Sequence, residues 1–581
     1  MRTNITRHTP STIRLIWEGV LVGLIVFWTI YGFGPLDVTN DRWIMSGYDE
    51  PDIIQHYAGW VAFRNSAWHF PLGLADNMDA GFFISFTDSI PWLAVIFKLI
   101  LRAVNYTGTF QYLGMYALIC YILQAVAAGL LIRRRTSSHF IICACMLLLC
   151  FSPILMERSL RHTTLGSQWF ILFAMYAYLR FRDRECRGFP VSYAILALLA
   201  VGIHPYFLPL ILAFSFLSLL SCLYRRIDIA KNFWGFVWSV ILPIAGGRLI
   251  GALGTGVNSS RWGFGHYSMN LNAIVNPTSA GGYDWSNFLK IHPQILGNYD
   301  GFNYLGLGYL LLIILAMLSL FIVLPRWNRY KTLDASFYAL TALGMAAFAV
   351  SNVVTFNDKI LLTVPLPEAL AKFCGILRAS SRLFYFVYYS LVIFSLYRIF
   401  DVIAHFNLAG DAEKKWICVS KKAVSFGLVI SVICLVQLAD LGHVIVQKHE
   451  SMAQKLGFQS VIDDCALSDA VKGKHFLISE LGHDYYSYRV LAVLAGKNNL
   501  RTAFTVASDV EPYTETGNGH KVLVDFINGA HSDDVAIAYR DIGYARNLFQ
   551  NEKIRSSCKY LESKGFAFII AEKDTGHSDG K

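Results

Sequence analysis

The segment "SGYDEPDIIQHYAGWVAFRNSAWHFPLG", residues 46–73, places three carboxylates within four residues: Asp49, Glu50 and Asp52. Gln55, His56 and a run of Trp, Phe and Tyr follow. A positioned carboxylate can take a proton from a hydroxyl nucleophile, provided its pKa and place suit that proton. In a solvated loop, Asp and Pro need no such explanation. The neighbours favour chemistry, because "HYAGWVAFRNSAWHFPLG" is too apolar and aromatic for a free loop and must line a cleft or pack on a membrane face. Asp52 precedes "IIQHYAGW", which has helical spacing, so the head of a helix would fix its direction and stabilise its anion. Asp49 and Glu50 precede Pro51, which biases them away from helix. A further acid, Asp88 in "FTDSIPW", stands before an apolar stretch, where an N-cap is the competing role.

The second kind of chemistry is anion binding. "SPILMERSLRHTTLG", 152–166, groups Glu157, Arg158, Arg161 and His162. "GILRASSRLFYFVYY", 375–389, holds Arg378 and Arg382 four residues apart, the spacing of one helix face. Arg donates a fork of hydrogen bonds suited to phosphate, and a lipid headgroup would be met by the same residues. His204 lies in the turn "GIHPYF", and Arg248 in "IAGGRLIGALG" interrupts an apolar segment, where a charge is costly and points to function. The stretches "RWGFGHYSMNLNAIVNP" and "NYDGFNYLGLG" supply His266, Tyr267, Asn270 and Tyr304. Aromatic faces with amide and phenol groups make a pocket suited to a sugar; an aromatic belt at the membrane interface is the plainer reading.

The elements that must position these residues are apolar. Of 581 residues, 55% are hydrophobic and only 15% charged, against about 25% charged in a soluble domain. The chain reads as a polytopic membrane protein. Its formal charge of +10 does not argue for nucleic acid, because the basic residues cluster in short loops between apolar runs, as topology signals do. The N-terminal apolar run is too long and aromatic for a cleaved signal and reads as an uncleaved span. Spans are expected near 13–33, 110–132, 138–155, 165–181, 190–203, 206–224, 233–254, 303–324, 335–353, 383–402 and 422–443. All basic clusters then fall on one side if "SIPWLAVIFKLILRAV", 89–104, lies along the membrane as an interfacial helix. That gives eleven transmembrane helices, with the N-terminus cytoplasmic and the C-terminus outside.

The expected division is a membrane domain, 1–445, with outer loops 34–109 and 255–302, and a soluble extracytoplasmic α/β domain, 446–581. In the latter, "HFLISEL", "KVLVDFI", "VAIAY" and "FAFIIAEK" read as strands. Its two thiols, Cys465 and Cys558, would pair in an oxidising compartment. No C-x-x-C pair supports a zinc site.

A first span, a long outer loop opening on acids, then a membrane-surface helix resembles the plan of the GT-C glycosyltransferases, closest to an uncharacterised bacterial family of that type. The segments bearing the resemblance are "DEPDIIQHYAGWVAFRNSAWHFPLG", "TDSIPW", "FGHYSMNLNAIVNP", "GFNYLGLG" and "LRASSR". The resemblance implies an α-helical GT-C-like fold in a bacterial inner membrane with a periplasmic C-terminal domain. It implies transfer of a sugar from a polyprenyl-phosphate donor to an extracytoplasmic acceptor, a surface glycan such as O-antigen. Asp52 or Asp49, with Glu50 next, would be the base, and Arg158, Arg161, Arg378 and Arg382 would hold the donor phosphate. The sequence has no clear D-x-D, which leaves a divalent cation in doubt. A transporter or flippase of lipid-linked glycan, or a non-catalytic envelope assembly protein, is the alternative.

Overall fold

Helices dominate the chain because long runs of Leu, Ile, Phe and Ala satisfy their backbone internally, the one requirement of a hydrocarbon solvent. A computed structural model describes residues 11–48, 52–78, 81–183, 190–253, 263–278, 280–323, 328–406, 415–472, 474, 476–480, 484–506 and 535–572. Asp49 and Glu50 lie outside the described residues, as does "KVLVDFI".

Among the described residues, seven helices are long and apolar enough to cross a membrane: Thr12–Tyr31, Leu113–Ile132, Phe207–Arg225, Ile229–Ile250, Arg329–Val350, Ser380–His405 and Val424–Lys455. The chain is therefore a multi-pass membrane protein. Four other expected spans form shorter helices. His139–Cys150, Ser192–Val201 and Leu307–Ile322 are apolar but under 18 residues, and Trp169–Arg182 has 14. At about 1.5 Å per residue, a 12-residue helix covers roughly 18 Å of a hydrocarbon core about 30 Å thick.

The segment expected to lie along the membrane forms Pro91–Ala103, a helix of 13 residues. Ile96, Leu99 and Ile100 are exposed on it. Lys98 turns inward instead of toward headgroups. Its ammonium donates to Ser66 Oγ at 3.1 Å and to the Ala67 carbonyl at 3.0 Å, and sits 4.0 Å over the Phe63 ring. Burial, then the charge of Arg102, pushes Lys98 down to about 7.

The chain divides into two compact units. The first comprises residues 1–37, 112–243 and 261–453 and holds most of the long helices. The second comprises 38–111, 244–260 and 454–581. Its five-stranded sheet runs Arg501–Thr502, Phe476–Glu480, Val535–Tyr539, Phe566–Ala571, Cys558–Ser563. The first three strands are parallel and the last two pair antiparallel. Val535–Tyr539 and Phe566–Ala571 are buried throughout and read as unbroken apolar runs, as strands covered on both faces must. The expected disulfide is not formed: Cys465 is an exposed free thiol at the start of a helix and Cys558 a buried one at the start of a strand.

Candidate functional site

In the second unit the expected helix at the acidic segment is present and begins at Asp52, running Asp52–Asn65. Every residue from Ile53 to Phe63 is buried. The sequence shows why: apart from Gln55 and His56 it is apolar on every face rather than on one stripe, the pattern of an enclosed helix. The Asp52 carboxylate stays 38% exposed at the head of this helix. The helix Tyr485–Lys497 lies beside it, and Arg489 divides its fork between two acceptors one turn apart. Nη1 donates to Asp52 Oδ1 at 3.0 Å and Nη2 to Gln55 Oε1 at 2.8 Å. Further along, Asn65 donates to the Gly496 carbonyl at 2.6 Å. Lys497 pairs with Asp41 Oδ2 at 2.6 Å, and the Tyr57 hydroxyl donates to the same oxygen at 2.8 Å.

His56 is fully buried. Burial pushes its imidazole down to about 4, with the Asp52 charge working against that and Arg489 adding to it. It is neutral at pH 7. A His56 ring nitrogen and an Asp88 carboxylate oxygen lie within 4.8 Å of each other. Asp88 does not cap the helix after it. That helix starts at Pro91 with Ile90 in the capping position, and Asp88 adopts a left-handed conformation, φ 53°. Arg248 is exposed in the last turn of Ile229–Ile250, where a cation complements the helix dipole.

In the first unit, Arg158, Arg161 and Arg382 come together around two acids, Glu157 and Asp300. Arg158 contacts Glu157 Oε2 at 2.7 Å and Asp300 Oδ1 at 3.1 Å. Arg161 pairs with Glu157. Arg382 lays Nε and Nη2 across both oxygens of Asp300, at 3.2 and 3.1 Å. Burial alone would raise Asp300, but Arg382, then Arg158, hold its carboxyl well below the usual range. These five groups sum to one positive charge. Arg158 and Arg161 are enclosed, at 2% and 4% exposure, whereas the Arg382 side chain keeps 13%.

Arg378 and Arg382 do not share a helix face. Ala379, at φ −83° and ψ 69°, separates two short 3-10 turns. The flanking serines explain the break: Ser380 donates to the Ala349 carbonyl and Ser381 to the Asp300 carbonyl, and such bonds compete with helix. Each arginine lies instead over an aromatic ring, Arg382 4.7 Å from the Tyr206 centroid and Arg378 5.4 Å from that of Tyr267. His162 and His204 are buried, with ring centroids 5.5 Å apart.

The residues expected to bind sugar separate into two groups. His266 and Tyr267 are adjacent and half-buried, with rings 4.8 Å apart. Asn270 and Tyr304 are fully buried and turned to the protein itself. The Asn270 amide donates to Asn298 Oδ1 and the Asn357 carbonyl and accepts from Asn357 N. The Tyr304 hydroxyl donates to Asp440 at 2.7 Å. Asp300 and Arg489 are the partners that sequence reasoning missed. Asp300 sat inside a segment, "NYDGF", read for its aromatics; Arg489 is a lone cation in the apolar run "YRVLAVLAG", a weak signal.

Helices of membrane-spanning length and a buried ion cluster define a polytopic membrane protein with an electrostatic site. The chain belongs to the family described as Domain of unknown function (DUF6311), which matches residues 20–442. No curated protein matches it. Among solved structures it is similar to the archaeal oligosaccharyltransferase AglB from Archaeoglobus fulgidus, in complex with an inhibitory peptide and a dolichol-phosphate. The identity is 11%, over 97% of this chain and 75% of that one, with a TM-score of 0.40.

Proposed function

We propose that the protein is a membrane glycosyltransferase of GT-C type that moves a sugar from a polyprenyl-phosphate donor to an acceptor hydroxyl on the outer face of the membrane. The observation that carries this reading is Asp52: an open carboxylate at the head of an otherwise buried helix, aimed by Arg489. The GT-C-like order of segments in the sequence supports the same reading. Asp52 takes the acceptor proton as the hydroxyl oxygen bonds to the anomeric carbon, a role typically worth 10²–10⁴-fold in rate. Gln55 shares the Arg489 fork and fixes its orientation. Asp49, Glu50 and Asp88 are the acids that would replace Asp52 if it is not the base.

The leaving group departs with the bonding electrons as a lipid phosphate. Arg382 and Arg378 are the cations accessible to it, and Arg158 and Arg161 support them through Asp300 and Glu157. The surplus positive charge of the buried cluster favours an anion there. The setting we propose is a bacterial inner membrane with eleven spans, the N-terminus cytoplasmic and the C-terminal domain, 446–581, periplasmic. The four short helices then cross where neighbours or bilayer thinning make up their length. The acceptor we propose is a surface glycan such as O-antigen.

The test is Asp52→Asn. Asn still accepts from Arg489 and caps a helix nearly as well as Asp, so the variant should accumulate normally. Surface glycans from cells with this variant should match those of cells lacking the gene. Full glycan transfer by the variant would remove Asp52 from the role of base.

A further inference from the structure

We propose that the hairpin Val353–Thr363 and the short helix Glu368–Cys374 insert into the membrane–water interface, where phospholipid covers their exposed apolar side chains. The two strands, Val353–Phe356 and Lys359–Thr363, pair antiparallel in a sheet of their own. Successive side chains of a strand point to opposite faces, and a hairpin on a soluble protein buries one face and wets the other. The inner strand of this one follows that rule, with Thr355 buried, but the outer strand is exposed along its whole length. Ile360, Leu361 and Leu362 follow one another and each is more than half exposed, so both faces of the outer strand are apolar and uncovered. In the following segment Leu370, Phe373 and Ile376 recur every three residues and are exposed, Phe373 at 67%. Glu368 and Lys372 form an ion pair at 2.5 Å, one helical turn apart. Soluble surfaces rarely leave so much contiguous apolar area open.

Position in the chain identifies the occupant. The hairpin follows Arg329–Val350, the least buried of the seven candidate spans, with 17% of its apolar window covered. That helix has 22 residues, about 33 Å at 1.5 Å each, enough for the hydrocarbon core. Ser351, at φ 68°, ends it, and the first strand starts two residues later. The hairpin thus begins where the hydrocarbon ends and continues a surface that already meets lipid. A protein partner would cover one face of the strand, whereas lipid reaches both. The free edge of Lys359–Thr363 cannot sit in hydrocarbon, because its outward backbone groups need water or headgroups. The interface supplies both. Lys359, exposed at the start of the outer strand, stands along this segment as a cation for lipid phosphates.

The inference does not depend on the glycosyltransferase reading. To test it, Leu361→Cys in a Cys465→Ser background is labelled with an environment-sensitive fluorophore. The protein is reconstituted into vesicles of phosphatidylcholine with phosphatidylglycerol. The Cys465→Ser parent gives the background, and Arg546→Cys, at an exposed position, is the aqueous control. The expected result is a blue-shifted emission and loss of fluorescence with shallow nitroxide-labelled lipid, and little loss with iodide. Quenching by iodide as strong as in the control would overturn the proposal. Protection from both quenchers, the outcome for a site covered by protein, would overturn it equally.

Discussion

Arg382 meets both oxygens of Asp300 at once, a geometry that a guanidinium fork can make and an ammonium cannot. Arg382→Lys should therefore keep the charge and lose part of the site. We expect that variant to fold and to retain only part of donor use. Arg382→Ala should lose donor use and also unfold more easily, by about 3–5 kcal/mol, because a buried pair loses one partner. Glycan transfer in membranes, beside thermal unfolding in detergent, separates the two effects. Equal donor use by Lys and Arg would refute a forked contact to phosphate. His56 gives a pH dependence with a defined sign. Its native pKa, about 4, lies below the ordinary value near 6.5, so the unfolded chain takes up a proton first as pH falls. The stability it contributes is complete above pH 6.5 and declines between there and pH 4, by about 3 kcal/mol in all. Unfolding temperatures measured across that window should fall, and His56→Gln should flatten this part of the curve. An unchanged slope in the variant would remove His56 as the titrating group.

Helix packing in this protein depends on glycines at close approaches. In Thr12–Tyr31, Gly19 and Gly23 are four apart, and Leu113–Ile132 lies against them. A Cβ on Gly23 would stand 2.7 Å from Ile122 Cα, and one on Gly19 would press into Val126. This is the small-xxx-small contact of membrane helices, where packing, not solvent exclusion, holds segments together. Gly23→Leu should lower the unfolding temperature in detergent and the amount of protein in the membrane, while Gly344→Ala, where nothing lies within 4 Å, should change neither. A neutral Gly23→Leu would mean the two helices have room to separate. The Asp52–Asn65 helix is held by the same device, since a side chain on Gly59 would strike Thr87 and Ser89.

The second compact unit gathers three stretches far apart in sequence, 38–111, 244–260 and 454–581. Because 38–111 and 454–581 pack into one unit, they must share a side of the membrane. Under the proposed topology that side is the outer one. Cys465 offers a native probe, being exposed where the other free thiols among the described residues are buried or half-buried. A membrane-impermeant thiol reagent applied to intact spheroplasts should label Cys465, and should also label an introduced Asp76→Cys, at a half-exposed position. Labelling of one without the other would contradict the shared side. Labelling of both only after lysis would invert the orientation.

Local pattern alone was enough to read the membrane class, most helix positions and the helix headed by Asp52. Those features follow from periodicity, apolar run length and the placement of Pro51, all properties of neighbouring residues. The helix at 91–103 was readable for the same reason, from its apolar run and the Pro91 at its start. What the linear chain could not express is pairing at a distance. Asp300 reaches Arg158 across 142 residues and Arg489 reaches Asp52 across 437. Neither separation has a period or a motif, because such contacts depend on how whole helices pack. The same limit explains Asn270 and Tyr304. A residue type suited to a sugar hydroxyl suits a backbone carbonyl equally, and only burial decides which it meets. Tertiary structure alone therefore separated the accessible arginines, Arg378 and Arg382, from the enclosed ones, Arg158 and Arg161, since exposure is a property of the packed chain and not of any residue within it.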